Sequence, residues 1–366
     1  MFKALLNTLF PSTNQNYTPN YFAFEETRAN KDDEQQKAVD ALQTSLKTSI
    51  DNGEYREQEH QLRFYDFLFG KQASSVEHDD LSLFIANKIN ILLSKPETIV
   101  AALPALPVSI NKITNELNDD NFDINQLIKL IEQEPAIVAK VIELANSAYY
   151  NHTGKSITDL KLAVRVLGVN GLTEGVINGF VNRLVPASPI YFQHYGNKIW
   201  QHSYTTGVIA KSLVKDAKLP EQAAESYLVG LLTNLGDMII FQLLVEAFAH
   251  VNADCQPNSL IFKKLLIDYS KSLSYSIAKH WQLPASITSA LQLQANLTKS
   301  VMLKPQFTTN TLACYVYEAN LISELALLLE NKQVSNEELE QAKQYLIESH
   351  EAQQFLEKHL VPHMTQ

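Results

Sequence analysis

DINQLIKLIEQEPAIVAKVIELANSAYY, Asp123 to Tyr150, is the stretch that settles the class of fold. Asp123 is a helix cap by residue type, and behind it Ile124, Leu127, Ile128 and Ile131 recur at the spacing that puts them on one helix face. Pro135 then takes a first-turn position, where its missing N–H costs nothing, and Val138, Val141, Ile142 and Ala145 continue an apolar face. Asn146 and Ser147 follow as a turn whose polar side chains bond the backbone while Tyr149 and Tyr150 pack. Helices this short are unstable alone and must pack together.

The same pattern extends in both directions. Leu160, Ala163, Val164 and Leu167 form a face that Gly168 terminates, and another helix is predicted from Gly171 to Val185. Upstream, Ala38, Leu42, Leu46 and Ile50 repeat every four residues within a helix over Asp33 to Ile50, stopped by Gly53. Leu62 to Phe69 and Leu81 to Leu93 read as two more, ended near Gly70 and Pro96. Downstream come helices through Trp200 to Val214, Tyr227 to Leu232 and Leu312 to Leu329, then Ser335 with Glu338 in the spacing of a capping box. Almost nothing alternates as a half-buried strand would, so the predicted fold is all-α.

Residues 1–95 read as an N-terminal helical extension without a chemical motif. Its first residues Phe2, Leu5, Leu6, Leu9 and Phe10 share one face beside the lone Lys3, which predicts docking on the protein's own core or a partner rather than on a membrane. A net charge of −10 argues against nucleic acid as a partner, and Lys161 with Arg165 and Lys211 with Lys215 read as ordinary solvated pairs. Cys255 and Cys314 are far apart and outside any ligand spacing, which disfavours a disulfide scaffold or structural zinc. No uninterrupted apolar run reaches the roughly 18 residues needed to span a bilayer, and the cytoplasm is the expected location.

Three stretches carry a family resemblance. LPALPVSINKITNEL (Leu103 to Leu117), EPAIVAKVIELANSAYYN (Glu134 to Asn151) and SITDLKLAVRVLG (Ser156 to Gly168) follow the order of the N-terminal half of HDOD domains. IWQHSYTTGVIAKSLV (Ile199 to Val214), SYLVGLLTNLGDMIIF (Ser226 to Phe241) and WQLP at Trp281 to Pro284 resemble the HD-like half of that family. The resemblance implies an HD-domain-like helical array preceded by a small helical subdomain, with extra N- and C-terminal helices. The expected domains are an extension over 1–95, an HDOD domain over 96–300 with halves at 96–186 and 187–300, and a C-terminal helical segment over 301–366.

The resemblance also implies what chemistry is missing. HD phosphohydrolases hold a divalent metal with imidazoles and carboxylates, so that a bound water is deprotonated and attacks phosphorus. Their adjacent His-Asp pair stands in a Gly-Leu-Leu-His-Asp-x-Gly context that reads here Gly230, Leu231, Leu232, Thr233, Asn234, Leu235, Gly236. A hydroxyl and an amide are poor ligands for a catalytic metal. His202 falls where a first metal-binding histidine would lie, and the further histidine of related domains, counted eleven back from Trp281, is Ser270.

Each of these positions has a plainer reading. His202 is then a core or helix-cap histidine bonded through its ring, Thr233 and Asn234 satisfy helix-end backbone groups, and Asp237 is either a carboxylate on the pocket rim or a solvated surface residue. Asn146 and Ser147 are a turn, and Trp200 and Trp281 are core. The expectation is a regulatory protein without metal, cofactor or catalytic residues, whose partners are signalling or regulatory proteins. Two rivals stand beside it: a divergent metal-dependent phosphohydrolase, and a sensor whose vestigial cleft takes a nucleotide or another anion.

Overall fold

A computed structural model describes residues 2–9, 55–70, 80–103, 124–132, 135–147, 150–151, 154–182, 190–251 and 260–360. The helix expected over Asp33 to Ile50, the Asp123 cap, Cys255 and all but the first residue of Leu103 to Leu117 lie outside the described residues. Every regular element among the described residues is helical, as the periodicity predicts. In chain order these are α1 (Lys3–Leu9), α2 (Tyr55–Phe69), α3 (Asp80–Leu93), α4 (Pro96–Ala102), α5 (Ile124–Glu132), α6 (Pro135–Ala145) and α7 (Leu160–Asn182). There follow α8 (Ile190–Asp216), α9 (Ala223–Thr233), α10 (Leu235–Val251), α11 (Leu260–His280), α12 (Ala285–Asn296), α13 (Thr311–Glu330), α14 (Asn336–Leu346) and α15 (His350–His359).

The core is organised around α8, which packs along α9 and α13, while α10 lies on α11 and α11 on α12. Pro220–Ala249 and Thr311–Glu330 are each apolar and long enough to cross a membrane by composition, yet 100% and 83% of their most apolar windows are buried within the fold. A helix surrounded by helices needs no polar face. Counting uninterrupted apolar residues overlooks both, because Asn234 and Glu324 break the runs.

Glycines set how closely these helices approach. A Cβ on Gly230 would sit 2.7 Å from the Cα of Gly207, so α9 crosses α8 with backbones nearly touching. At the start of α10, a Cβ on Gly236 would sit 1.9 Å from the carbonyl oxygen of Ser270 on α11. Gly168 has φ +64 and kinks α7, where the sequence predicted a stop and a second helix.

The flanks are anchored to this core. Phe2, just before α1, and Leu6 on its apolar side are buried, and the Phe2 N–H donates to Glu246 at 2.8 Å on α10, so the amphipathic start docks on its own chain. In α2 the stripe His60, Phe64, Tyr65, Leu68 and Phe69 is buried, and Gly70 at φ +86 follows the helix end. Arg63 on the outer side reaches Glu338 at 2.6 Å, and Glu338 in turn forms the predicted capping box with Ser335.

Glu318 fixes the C-terminal pair of helices. Its carboxylate is fully buried on α13 and accepts the backbone N–H groups of Glu348 and Ser349, each at 2.7 Å, and the Ser349 hydroxyl. Burial outweighs these donors and pushes the carboxyl up from 4.5 to about 7. As pH rises from about 4.5 to about 7, the unfolded chain releases this proton before the folded one does, and stability falls across that window. Glu318→Gln is expected to flatten this fall. Urea denaturation at pH 5 and pH 7.5 checks it, and an unchanged pH dependence in the variant excludes Glu318 as the source.

Candidate functional site

Several polar residues that do not belong in an apolar bundle converge on one cavity of about 570 Å³, walled by α2, α8, the α9–α10 junction, α11, the end of α12 and α13. His202, Asn234, Asp237 and Ser270 all line it, although the chain separates them widely. The close approach at Gly236 brings position 270 to the doublet. The Gly236 N–H donates to the Ser274 hydroxyl at 2.8 Å, and that hydroxyl donates to the Thr233 carbonyl at 3.0 Å.

His202 is buried, with Nδ1 2.9 Å from the Ser323 hydroxyl and the ring 4.7 Å from that of Phe64. Burial lowers its pKa to about 4, although Glu324 opposes the shift, so the imidazole is neutral near pH 7. Its Nε2 lies 3.8 Å from Glu324 Oε1, too far for a hydrogen bond. This is the ring-bonded core histidine of the plainer reading.

Asn234 departs from that reading. Its side chain does not cap a helix end: Oδ1 accepts from the Lys271 ammonium at 2.7 Å, and Nδ2 donates to Asn320 Oδ1 at 2.8 Å. Asn320 Nδ2 donates onward to Glu324 Oε1 at 2.7 Å, and Glu324 Oε2 meets His60 Nε2 at 2.8 Å. An unbroken line of hydrogen bonds therefore runs from a lysine cation through two amides to a carboxylate. The Thr233 hydroxyl is buried with no hydrogen-bond partner among the described residues and does not line the cavity, so it too caps nothing.

Asp237 is buried rather than solvated, and accepts from the Tyr65 hydroxyl at 2.7 Å. Burial raises its pKa while Lys271, Tyr65 and Ser270 pull it down, and burial lowers that of Lys271 against the pull of Asp237 and Glu324. Burial alone would raise the Glu324 carboxyl, but His60, His202 and Lys271 together hold it below its ordinary range. No three His, Cys, Asp or Glu side chains among the described residues are grouped so as to share one metal ion.

Asn146 and Ser147 lie away from the cavity. Asn146 donates to the Ile142 and Ile157 carbonyls at 2.9 and 2.7 Å and accepts the Ile157 N–H at 2.8 Å, as the sequence predicted for the turn, whereas the buried Ser147 hydroxyl, expected to do the same, bonds nothing among the described residues. Trp281 is core and Trp200 packs half-buried against it. Lys211, read as half of a solvated pair with Lys215, instead turns inward to Glu174 at 2.5 Å and the Tyr150 hydroxyl at 2.8 Å.

Sequence reasoning passed over Lys271, Asn320, Glu324, His60 and Tyr65. One signal was available: α13 carries Glu318, Asn320, Ser323 and Glu324 in an otherwise apolar helix, and buried charges of that kind require partners.

A family model, HDOD domain, matches residues 103–297. An uncharacterized protein of Treponema pallidum (strain Nichols) is 23% identical over 193 residues, which is 52% of this chain but only 37% of that protein. A crystal structure from Shewanella amazonensis SB2B, provisionally assigned as a metal-dependent phosphohydrolase, superposes with a TM-score of 0.52 at 19% identity, covering 73% of this chain and 92% of that one. An HDOD domain protein of unknown function from Geobacter sulfurreducens is 20% identical with a TM-score of 0.47, covering 63% of this chain and 77% of that one. At these identities the structural likeness concerns the fold alone.

Proposed function

The chain belongs to the HDOD domain family, and from that premise we propose that it is a non-catalytic bacterial regulatory module that conveys signals by binding other proteins. The observation that carries this reading is the state of the Thr233-Asn234 doublet. Where an HD enzyme has an imidazole and a carboxylate, this chain has a hydroxyl that lies outside the cavity and bonds nothing among the described residues, and an amide spent on Lys271 and Asn320. The residues present do not fit a divalent metal, because Asn234 Oδ1 already faces a cation and no three His, Cys, Asp or Glu side chains among the described residues are grouped to complete a ligand set around His202. No hydrolytic step is assigned. With a net charge of −10 the chain has little attraction for nucleic acid, so its partners are signalling or regulatory proteins.

Metal analysis of protein purified without chelator tests the first half of this reading. Far less than one manganese, iron or zinc per chain is expected, and a stoichiometric metal overturns it in favour of a phosphohydrolase. Affinity capture from cells grown in several conditions tests the second half. A partner retained in one condition and lost in another supports regulation, whereas the same abundant housekeeping proteins in every condition count against it.

The cavity favours one alternative, a sensor for a nucleotide or another anion. Its volume suits a small ligand, and Lys299 and Lys264 stand in its wall, the latter shared with Asp268. A nucleotide that binds only the folded state would raise the melting temperature with concentration.

A further inference from the structure

Lys271 is the only cationic group in the hydrogen-bonded line described above whose charge does not depend on an imidazole, and it stands at the head of that line. Its Nζ lies 2.7 Å from Asn234 Oδ1, and the carboxylates of Asp237 and Glu324 line the same cavity beyond direct ion-pair distance and act on it through space. Those two carboxylates come from α10 and α13, and each is also bonded by α2, through Tyr65 to Asp237 at 2.7 Å and through His60 to Glu324 at 2.8 Å. Both are at least nine-tenths buried, so two negative charges without a nearby cation would be costly there.

We propose that the Lys271 ammonium is the built-in cation of this cavity, doing for Asp237 and Glu324 what a bound metal ion would otherwise have to do, and thereby clasping α2, α10, α11 and α13 together. Position 234 explains the change of chemistry. A residue between Lys271 and Asn320 has to accept from the first and donate to the second, which an amide does and an ionised carboxylate does not. Each donor in the line points from the cation toward the anion, Lys271 to Asn234, Asn234 to Asn320, Asn320 to Glu324, so the bonds polarise in the same sense.

The inference deepens the regulatory reading, since a cavity that already carries its own cation has no place for another. Its test is a cycle of variants of the full chain followed by thermal melting. Lys271→Met keeps length and apolar bulk but removes charge, and is expected to lower the melting temperature by at least ~5 °C, because it strips Asn234 of its donor and leaves Asp237 and Glu324 buried without the cation beside them. Glu324→Gln lowers it in the wild-type background yet raises it in the Lys271→Met background. That reversal of sign belongs to charge and not to packing. Lys271→Ala gains stability from millimolar propylammonium or MnCl₂, either of which refills the vacated charge, while wild-type protein gains none. Should Lys271→Met fail to fold, Lys271→Arg and Lys271→Met/Glu324→Gln are expected to fold.

Additive effects of the two substitutions, or a Lys271→Met protein melting with the wild type, overturn the inference. So does failure of both propylammonium and MnCl₂ to stabilise Lys271→Ala. None of these results touches metal content, so the regulatory reading would survive them. A stoichiometric metal in wild-type protein whose Lys271–Glu324 coupling is intact would instead sink that reading and leave the clasp standing.

Discussion

Gly236→Ala is expected to abolish the native fold at 37 °C. The added methyl would lie 1.9 Å from the Ser270 carbonyl oxygen, closer than any non-bonded carbon and oxygen can stand, and the obstacle is backbone rather than a side chain that could swing aside. α10 must lift off α11, which breaks the bonds from the Gly236 N–H to Ser274 and from Ser274 to the Thr233 carbonyl. Overpacking of this kind costs about 1–3 kcal/mol or more, and each buried group stripped of its partner adds about 1–3 kcal/mol. Such a sum approaches the whole stability of an ordinary domain, about 5–15 kcal/mol. Circular dichroism melts decide it: a cooperative transition within a few degrees of wild type would mean that α10 and α11 are not so closely seated.

Breaking the pair between Lys211 and Glu174 should be nearly as damaging. Glu174 is 2% exposed on α7 and accepts from Lys211 of α8 and, at 2.7 Å, from the Tyr150 hydroxyl. Beside them Asn178 donates to the Tyr227 hydroxyl at 3.1 Å, so this polar cluster joins α7 to α8 and α9. Lys211→Met leaves a buried carboxylate without its ammonium, for which about 3–5 kcal/mol is the usual cost. The double variant Lys211→Met/Glu174→Gln is expected to recover much of that, with a coupling energy of about 1–3 kcal/mol in urea denaturation. Effects that add to within ~0.5 kcal/mol would reduce the pair to a surface contact.

The helices of this chain were legible because each repeats a short-range signal. The apolar face of α6, the turn at Asn146, the first-turn Pro135 and the Ser335 capping box all depend on neighbours within four residues, except that the turn also reaches Ile157. The site was legible only where the family pattern marked a position, as at His202, Asn234 and Ser270. Lys271 was invisible because α11 also carries Lys263, Lys264 and Lys279, a composition that reads as a solvated face. Two of the four lysines on α11 nevertheless turn inward. Lys263 is 1% exposed, bonded to Asp66 and, at 2.7 Å, to the Gly70 carbonyl, and Lys271 meets Asn234. Their partners are 197 and 37 residues away, so only tertiary packing distinguishes them from ordinary surface charge.

α2 and α13 lie outside residues 103–297, yet they supply His60, Tyr65, Asn320 and Glu324. A fragment trimmed to residues 103–297 would thus be a different object from the protein it came from. It would expose the apolar surfaces against which Phe64 and Leu68 rest, and it would hold Lys271 and Asp237 without the flanking residues that balance and shield them. Aggregation, or avid uptake of stray ions, in such a fragment would be a product of the scissors and would say nothing about the intact chain.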